Sequence, residues 1–218
     1  MIQVENLSKT YQTTKILDNL ALTVEPGQTV AILGPSGSGK TTLLRLIAGL
    51  EQPDGGTISL AGQLVSSPTQ ILAPHQRHIG FVFQTPILWP HMTISQNIAF
   101  GLGHLTAPVK KQRIQQLLER LAIAPLAHRY PYQLSGGEAK RASLARVLAP
   151  HPPYVLFDEP LTNLDIALKQ TLLYYIREYL ELTAACALYV THNPTEAQYL
   201  SEKIFWLKEG KLQSDEIP

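Results

Sequence analysis

Gly34-Pro35-Ser36-Gly37-Ser38-Gly39-Lys40-Thr41 is the stretch of this 218-residue chain that bears most directly on chemistry. It fits the pattern G-x-x-x-x-G-K-S/T. Glycines let successive backbone N–H groups turn toward one anion, and a helix starting near Lys40 adds the positive end of its dipole at the same point. Lys40 would reach the β- and γ-phosphates of a nucleotide, and the Thr41 hydroxyl would ligate Mg²⁺. Far downstream, the apolar run Tyr154-Val155-Leu156-Phe157 ends in two carboxylates, Asp158 and Glu159. A strand of this kind delivers Asp158 to the carboxyl edge of a sheet, beside the phosphate loop, where it would hold Mg²⁺ through water. Glu159 points differently and would polarise an attacking water as general base. Alone, an Asp-Glu pair after a strand is a loop start; joined to the glycine loop it reads as a nucleotide-hydrolysis site.

Such a site needs a strand before the loop and a helix after it. Thr29 to Leu33 (TVAIL) is a short continuous apolar run, as a strand covered on both faces requires. After the loop, Leu43, Leu44, Leu46 and Ile47 recur at helical spacing, with Gly49 near the end. Upstream, Leu20 to Val24 alternates as a strand does before the turn Glu25-Pro26-Gly27. Pro53 to Gly56 is a turn, Thr57 to Leu60 is expected as an edge hairpin strand, and Ile79 to Gln84 as a further buried strand. From Pro86 to about Pro150 the character changes to helices and prolines. Thr93 with Gln96 resembles a capping box, and Ile114, Leu117, Leu118 and Leu121 give an amphipathic face. Strands return at Tyr154 to Phe157 and Ala187 to Val190, separated by a long helix carrying Leu172, Leu173, Ile176 and Leu180. The pattern predicts an α/β domain interrupted by a helical insert.

Composition narrows the class. Hydrophobic residues make up 44%, enough for a sizeable core, so disorder does not describe the bulk. A formal charge of +1 argues against wholesale wrapping of nucleic acid, and Lys110-Lys111 reads as a solvated helix start. The one cysteine, Cys186, cannot form an intrachain disulfide and sits in an apolar run as a small buried hydrophobe. No apolar segment approaches the ~18 residues of a membrane span. The expectation is a soluble protein of a reducing compartment, with any membrane association supplied by a partner.

A second small-residue loop, Leu134-Ser135-Gly136-Gly137-Glu138, leads into a helix over Ala139 to Ala149 and offers a second anion cradle. Ser135 stands 23 positions ahead of Asp158. With both cradles and the aspartate strand, the chain resembles the ATP-binding cassette (ABC) ATPase family from Val4 to about Leu212. The resemblance implies an α/β fold, a P-loop NTPase of ABC type, with a mixed sheet core, an antiparallel β subdomain and an inserted helical subdomain. One domain would span 1–218, with 1–85 and 151–218 forming the RecA-like core plus antiparallel part and 86–150 the helical subdomain. It implies ATP and Mg²⁺ as cofactors. Tyr11 would stack on adenine, and Gly34, Pro35, Ser36, Gly37, Ser38, Gly39, Lys40, Thr41 and Thr42 would bind the nucleotide. Thr41, Gln84 and Asp158 would serve the metal, Gln84 also sensing the transport partner. Glu159, His192 and Lys40 would be catalytic. Ser135, Gly136, Gly137 and Glu138 would meet ATP held by a second copy in a head-to-tail dimer, and Asp165 would couple the two sites.

Three readings compete for the work the ATP does. The first is the ATPase subunit of an ABC transporter, a bacterial importer in preference to an exporter. It would sit peripherally on the cytoplasmic face of the cell membrane with integral membrane subunits and a substrate-binding protein. The apolar segment Pro86 to Leu102, with Ile87, Leu88, Trp89 and Met92, supports a docking surface, although these side chains could simply cap the helical part. The second is a soluble ABC ATPase acting on nucleic acid or ribosomes, disfavoured by the near-zero charge and modest insert. The third, a P-loop kinase or switch, leaves the Ser135 loop unexplained. Two residues depart from the family pattern: Glu138 replaces the usual glutamine and is expected to tune turnover, and Asn193 stands where aspartate is common.

Overall fold

Alternating strands, a set of continuously buried strands and one amphipathic helix account for most of the first unit. The computed structural model describes residues 1–201 and 203–214. The chain divides into two compact units, one formed by Met1–Phe81, Pro153–Glu159 and the residues from Leu180 on, the other by Val82–Pro152 and Pro160–Tyr179. The second unit thus takes in residues 160–179, beyond the 86–150 span expected for the helical part.

In the first unit β1 (Ile2–Tyr11), β2 (Thr14–Val24), β4 (Gly55–Leu60), β5 (Gln63–Ser67) and β6 (Gln70–Ile71) form an antiparallel sheet in the order β2-β1-β4-β5-β6. The strand expected at an edge, β4, is therefore interior, paired to β1 on one side and β5 on the other. A second sheet runs β11-β10-β3-β9-β8-β7, from β3 (Thr29–Leu33), β7 (Ile79–Val82), β8 (Tyr154–Asp158), β9 (Cys186–Val190), β10 (Lys203–Lys208) and β11 (Lys211–Ser214). Strands β10, β3, β9 and β8 are parallel, and β11 turns back antiparallel on β10. β7 is an edge strand that stops at Val82, two residues short of the expected Gln84, and alternates buried with half-buried positions.

Helix α1 (Lys40–Ala48) lies in the core that joins both sheets. Leu43, Leu44, Leu46 and Ile47 are fully buried there with Ile58 of the antiparallel sheet and Val30, Ile32, Leu156 and Leu188 of the parallel one. Each such side chain contributes roughly 1.5–3 kcal/mol on leaving water. Alternate residues of β3, Ala31 and Leu33, pack on the other face with Ala197 of α6 (Pro194–Leu200), which explains why the β3 run is apolar throughout.

The far end of α1 is closed by a side chain that the sequence pattern does not reveal. Gly49, at φ +76°, ends the helix, and a Cβ there would stand 2.4 Å from Arg77 Nε. Arg77 is 2% exposed and its guanidinium donates to the α1 carbonyls of Leu46 (3.3 Å) and Ile47 (2.8 Å), to Val65 O (2.8 Å), Ser66 Oγ (2.8 Å) and Leu72 O (2.7 and 2.9 Å). Burial pulls this guanidinium down to about 10, still charged at neutral pH. One cation thus satisfies helix-end carbonyls and ties α1 to the antiparallel sheet.

In the second unit α2 (Ile94–Ala99) packs on α3 (Ala107–Arg120) and α4 (Gly136–Leu148), and α5 (Ile166–Thr183) begins here. The expected capping box is present: Thr93 Oγ1 accepts from Gln96 N at 3.3 Å while Gln96 Oε1 accepts from Thr93 N at 2.8 Å.

Removing the Arg77 guanidinium strands several buried carbonyls, so Arg77→Ala should destabilise the protein by about 3 kcal/mol. Urea unfolding checks this; an unchanged midpoint would contradict the role given to Arg77.

Candidate functional site

The phosphate loop joins β3 to α1, and its shape depends on missing side chains. A Cβ at Gly34 would lie 2.6 Å from the Leu207 carbonyl oxygen, and Gly39, which caps α1 at φ +102°, would press a Cβ to 3.0 Å from Ile16 and Leu17. Lys40 is 5% exposed, and its ammonium donates to the carbonyls of Gly34 (2.8 Å) and Pro35 (2.9 Å). Loss of water pushes the Lys40 amine down, against the opposing pull of Glu159 and Asp158. Ser38 Oγ is buried with no hydrogen-bond partner among the described residues, an orphaned oxygen inside the loop.

Strand β8 carries the carboxylates to this loop. Asp158, buried at the strand's last position, accepts from the Thr41 hydroxyl at 3.0 Å. Burial pushes its carboxyl up, opposed by the Thr41 bond, with the charge of Glu159 pushing the same way as burial. Glu159 follows in the left-handed region at φ +44°, a backbone that costs a non-glycine residue about 1 kcal/mol or more. A hydrogen bond from its N–H to Val190 O (2.9 Å) holds it there. One carboxylate oxygen stands 3.7 Å from the Lys40 ammonium and the other 3.0 Å from His192 Nδ1. Lys40, Thr41, Asp158, Glu159 and His192 therefore converge, and a buried carboxylate beside a hydroxyl is the hard-oxygen donor set that suits Mg²⁺. Tyr11, at the end of β1, is 42% exposed, with the Thr42 side chain beside its phenol.

The loop bearing His192 is braced by residues that sequence reasoning passed over. Glu196, 3% exposed, accepts from the hydroxyls of Thr191 (2.9 Å) and Tyr189 (3.1 Å) and from Asn193 Nδ2 (3.3 Å). Asn193 also caps α6, its Oδ1 accepting from Thr195 N at 2.9 Å. An amide can donate to Glu196 where a carboxylate could not, which gives Asn193 a structural reason. The spacing Asn193-x-x-Glu196 was the available signal.

The second unit holds the other loop. Ser135 caps α4 in a reciprocal box, accepting from Glu138 N at 3.3 Å and donating its own N–H to Glu138 Oε2 at 2.7 Å. These bonds draw the Glu138 carboxyl below its ordinary value. A cleft of about 510 Å³ brings Gln84 together with Gly136, Gly137, Lys140, Thr162 and Asn163. Asp165 caps α5, its carboxylate accepting from Leu168 N at 2.9 Å. The apolar segment is partly exposed: Ile87 (47%), Trp89 (39%) and Phe100 (58%). Trp89 and Phe100 have ring centroids 5.5 Å apart, and Arg146 lies 5.2 Å from the Trp89 ring while donating to Ile87 O at 2.6 Å. Buried Asn97 fixes the loop through Trp89 N and O and the carbonyls of Met92 and Thr93. Trp89 is thus a braced, half-exposed ring.

Comparison with known proteins accords with this geometry. The family model for "ABC transporter" matches residues 17–162. The chain is 42% identical over 213 residues to a probable sulfate/thiosulfate import ATP-binding protein, CysA, of Chlorella vulgaris, covering 97% of this chain and 89% of that one. It is 39% identical to the Fe(3+) ions import ATP-binding protein FbpC 2 of Haemophilus influenzae, covering all of this chain but 62% of the relative. The dimeric post-hydrolysis structure of the ATP-binding cassette MJ0796, bound to ADP and Pi, superposes with a TM-score of 0.89 at 29% identity, covering 100% of this chain and 99% of that one. The chain belongs to the ABC transporter family, as an ATP-binding cassette.

Proposed function

We propose that this cassette hydrolyses ATP as a head-to-tail pair and so drives an importer through separate membrane subunits. The convergence of Lys40, Thr41, Asp158, Glu159 and His192 carries the reading. The triphosphate would replace the carbonyls of Gly34 and Pro35 at the Lys40 ammonium and take up the Ser38 hydroxyl. Thr41 and Asp158 would hold Mg²⁺, which when bound offsets the charge of the β- and γ-phosphates. Glu159 then orients a water for attack on the γ-phosphorus and takes its proton. The new P–O bond forms as the bond to the β-phosphate oxygen breaks, giving ADP and phosphate. His192, tied to Glu159 through Nδ1, sets the orientation of that carboxylate and reaches the γ-phosphate. Ser135, Gly136, Gly137 and Glu138 would meet the γ-phosphate of the second copy, and Asp165 would link the two sites.

ATP binding favours the closed pair and hydrolysis removes the bridge, which is how differential affinity becomes motion in a partner. Among the described residues no helix is long and apolar enough to cross a membrane. The half-exposed Ile87–Trp89–Phe100 surface would dock on membrane subunits at the cytoplasmic face, with a capture protein delivering cargo. Relatives of nearly equal identity are named for sulfate/thiosulfate and for ferric ion, which supports a reading in which other subunits choose the cargo.

Glu159→Gln should keep ATP binding while turnover falls by about a hundredfold or more, since removal of a general base typically costs about 10²–10⁴. Steady-state phosphate release with a parallel binding titration checks it, and undiminished turnover would overturn the assignment. Lys40→Ala, measured alongside, should lose affinity as well as rate.

Asp158 yields a pH-dependent prediction. Its folded carboxyl is pushed above the ordinary value, so folding favours the neutral acid. That contribution is fully present below the unfolded value and is lost as pH rises through the folded one. Asp158→Asn should therefore raise the thermal midpoint near pH 7 while abolishing Mg²⁺-dependent hydrolysis, and its advantage should shrink as the solution is acidified. A lower midpoint at neutral pH would contradict this.

A further inference from the structure

The end of β1 carries an arrangement that the phosphate cluster does not use. Tyr11 is substantially exposed, yet its hydroxyl donates to the Glu51 carboxylate. Glu51 is held in turn by Arg45 of α1, Nε to Oε1 at 2.6 Å. On the ring itself, the Lys9 ammonium lies over the π-face, 5.6 Å from the centroid. Lys9 is anchored by Asp54 Oδ1 at 3.0 Å and the Gln52 carbonyl at 2.7 Å, while Asp54 Oδ2 accepts from Thr10 N at 2.7 Å. Partial burial and the Glu51 bond both push the Tyr11 phenol up, so it remains a neutral donor at physiological pH.

An exposed aromatic ring ordinarily samples several rotamers, and ordering it when a ligand arrives subtracts from affinity. Here the hydroxyl is tied at one end and a fixed cation covers one face, leaving a single face for a planar partner. The tie runs to α1, the helix whose other end forms the phosphate loop, so ring and phosphate cradle share one rigid mount. A cation against one face of a π-system also favours stacking of a second ring on the other.

We propose that Glu51, fixed by Arg45, is the positioning residue that sets the Tyr11 ring to stack on the adenine of ATP, with Lys9 backing the ring's opposite face. This rests on the reading of Tyr11 as the base-stacking side chain, and the test separates the two. Equilibrium binding of ATP and of tripolyphosphate, which has the phosphates but no base, is measured for Tyr11→Phe, Glu51→Ala, Glu51→Gln, the Tyr11→Phe/Glu51→Ala double variant and Tyr11→Ala. Tyr11→Phe and Glu51→Ala should each raise the Kd for ATP roughly three- to tenfold by freeing the ring, and the double variant should be no weaker than either alone. Glu51→Gln keeps an acceptor and should stay within about twofold of the parent. Tripolyphosphate affinity should not move in any of them. If Glu51→Ala weakens ATP further in the Tyr11→Phe background, or weakens tripolyphosphate equally, the positioning role is overturned. If Tyr11→Ala costs affinity while Glu51→Ala does not, the tie fails but stacking stands. Full ATP affinity in Tyr11→Ala would remove the stacking reading and the tie with it.

Discussion

An ammonium taken almost wholly out of water needs oxygens around it, and the placement of Lys40 organises the candidate site. Its hydrogens meet two loop carbonyls, with the Glu159 carboxylate at 3.7 Å. That position exists only because the loop folds tightly enough to aim its carbonyls inward, which in turn requires glycine at Gly34 and Gly39, where a Cβ would strike the Leu207 carbonyl or Ile16. The same tightness leaves Ser38 Oγ buried and unmatched. Desolvation makes the ammonium ready to exchange neutral carbonyls for a phosphate, since an anion offers a buried cation more than a dipole does. A loop that stores unmatched polarity in this way is poised for a ligand rather than for stability.

The surrounding fold serves to hold that loop against the acidic strand. α1 is buried on both sides by the two sheets, and Arg77 closes its far end with a cation that donates to neutral oxygens. β8 and β3 flank β9 in a parallel arrangement, so their carboxyl ends, Asp158 and the phosphate loop, open on the same edge. The left-handed backbone at Glu159, directly after Asp158, is strain of the kind that gathers at functional sites. His192 stands opposite on a loop that Glu196 fixes from beneath.

Much of this was legible in the chain because it depends on local rules. The run Thr29 to Leu33 shows a strand because both faces are apolar, and it occupies those residues; Thr93 and Gln96 show a cap because capping needs only three-residue spacing. What local pattern could not show is pairing at a distance. β4 looked like an edge strand because its neighbours β1 and β5 are not distinguishable from one strand alone. Helix α4 starts earlier than the expected Ala139, at Gly136, because a glycine-rich first turn carries no hydrophobic signal. Arg77, Glu51 and Glu196 were silent as single charged residues. Each acquires meaning from partners brought by the fold, the helix-end carbonyls for Arg77 and the Tyr11 phenol for Glu51.

The account turns on ATP being enclosed between two copies, with the phosphate grip of one and the Ser135 loop of the other on the same γ-phosphate. The most direct measurement is a crystal structure of the Glu159→Gln protein with ATP and Mg²⁺, together with its mass by light scattering with and without nucleotide. The account predicts a nucleotide-dependent dimer in which Ser135 of one copy hydrogen-bonds the γ-phosphate seated on Lys40 of the other. A nucleotide-loaded protein that remains monomeric, or a dimer in which Ser135 stays remote from both nucleotides, would contradict it.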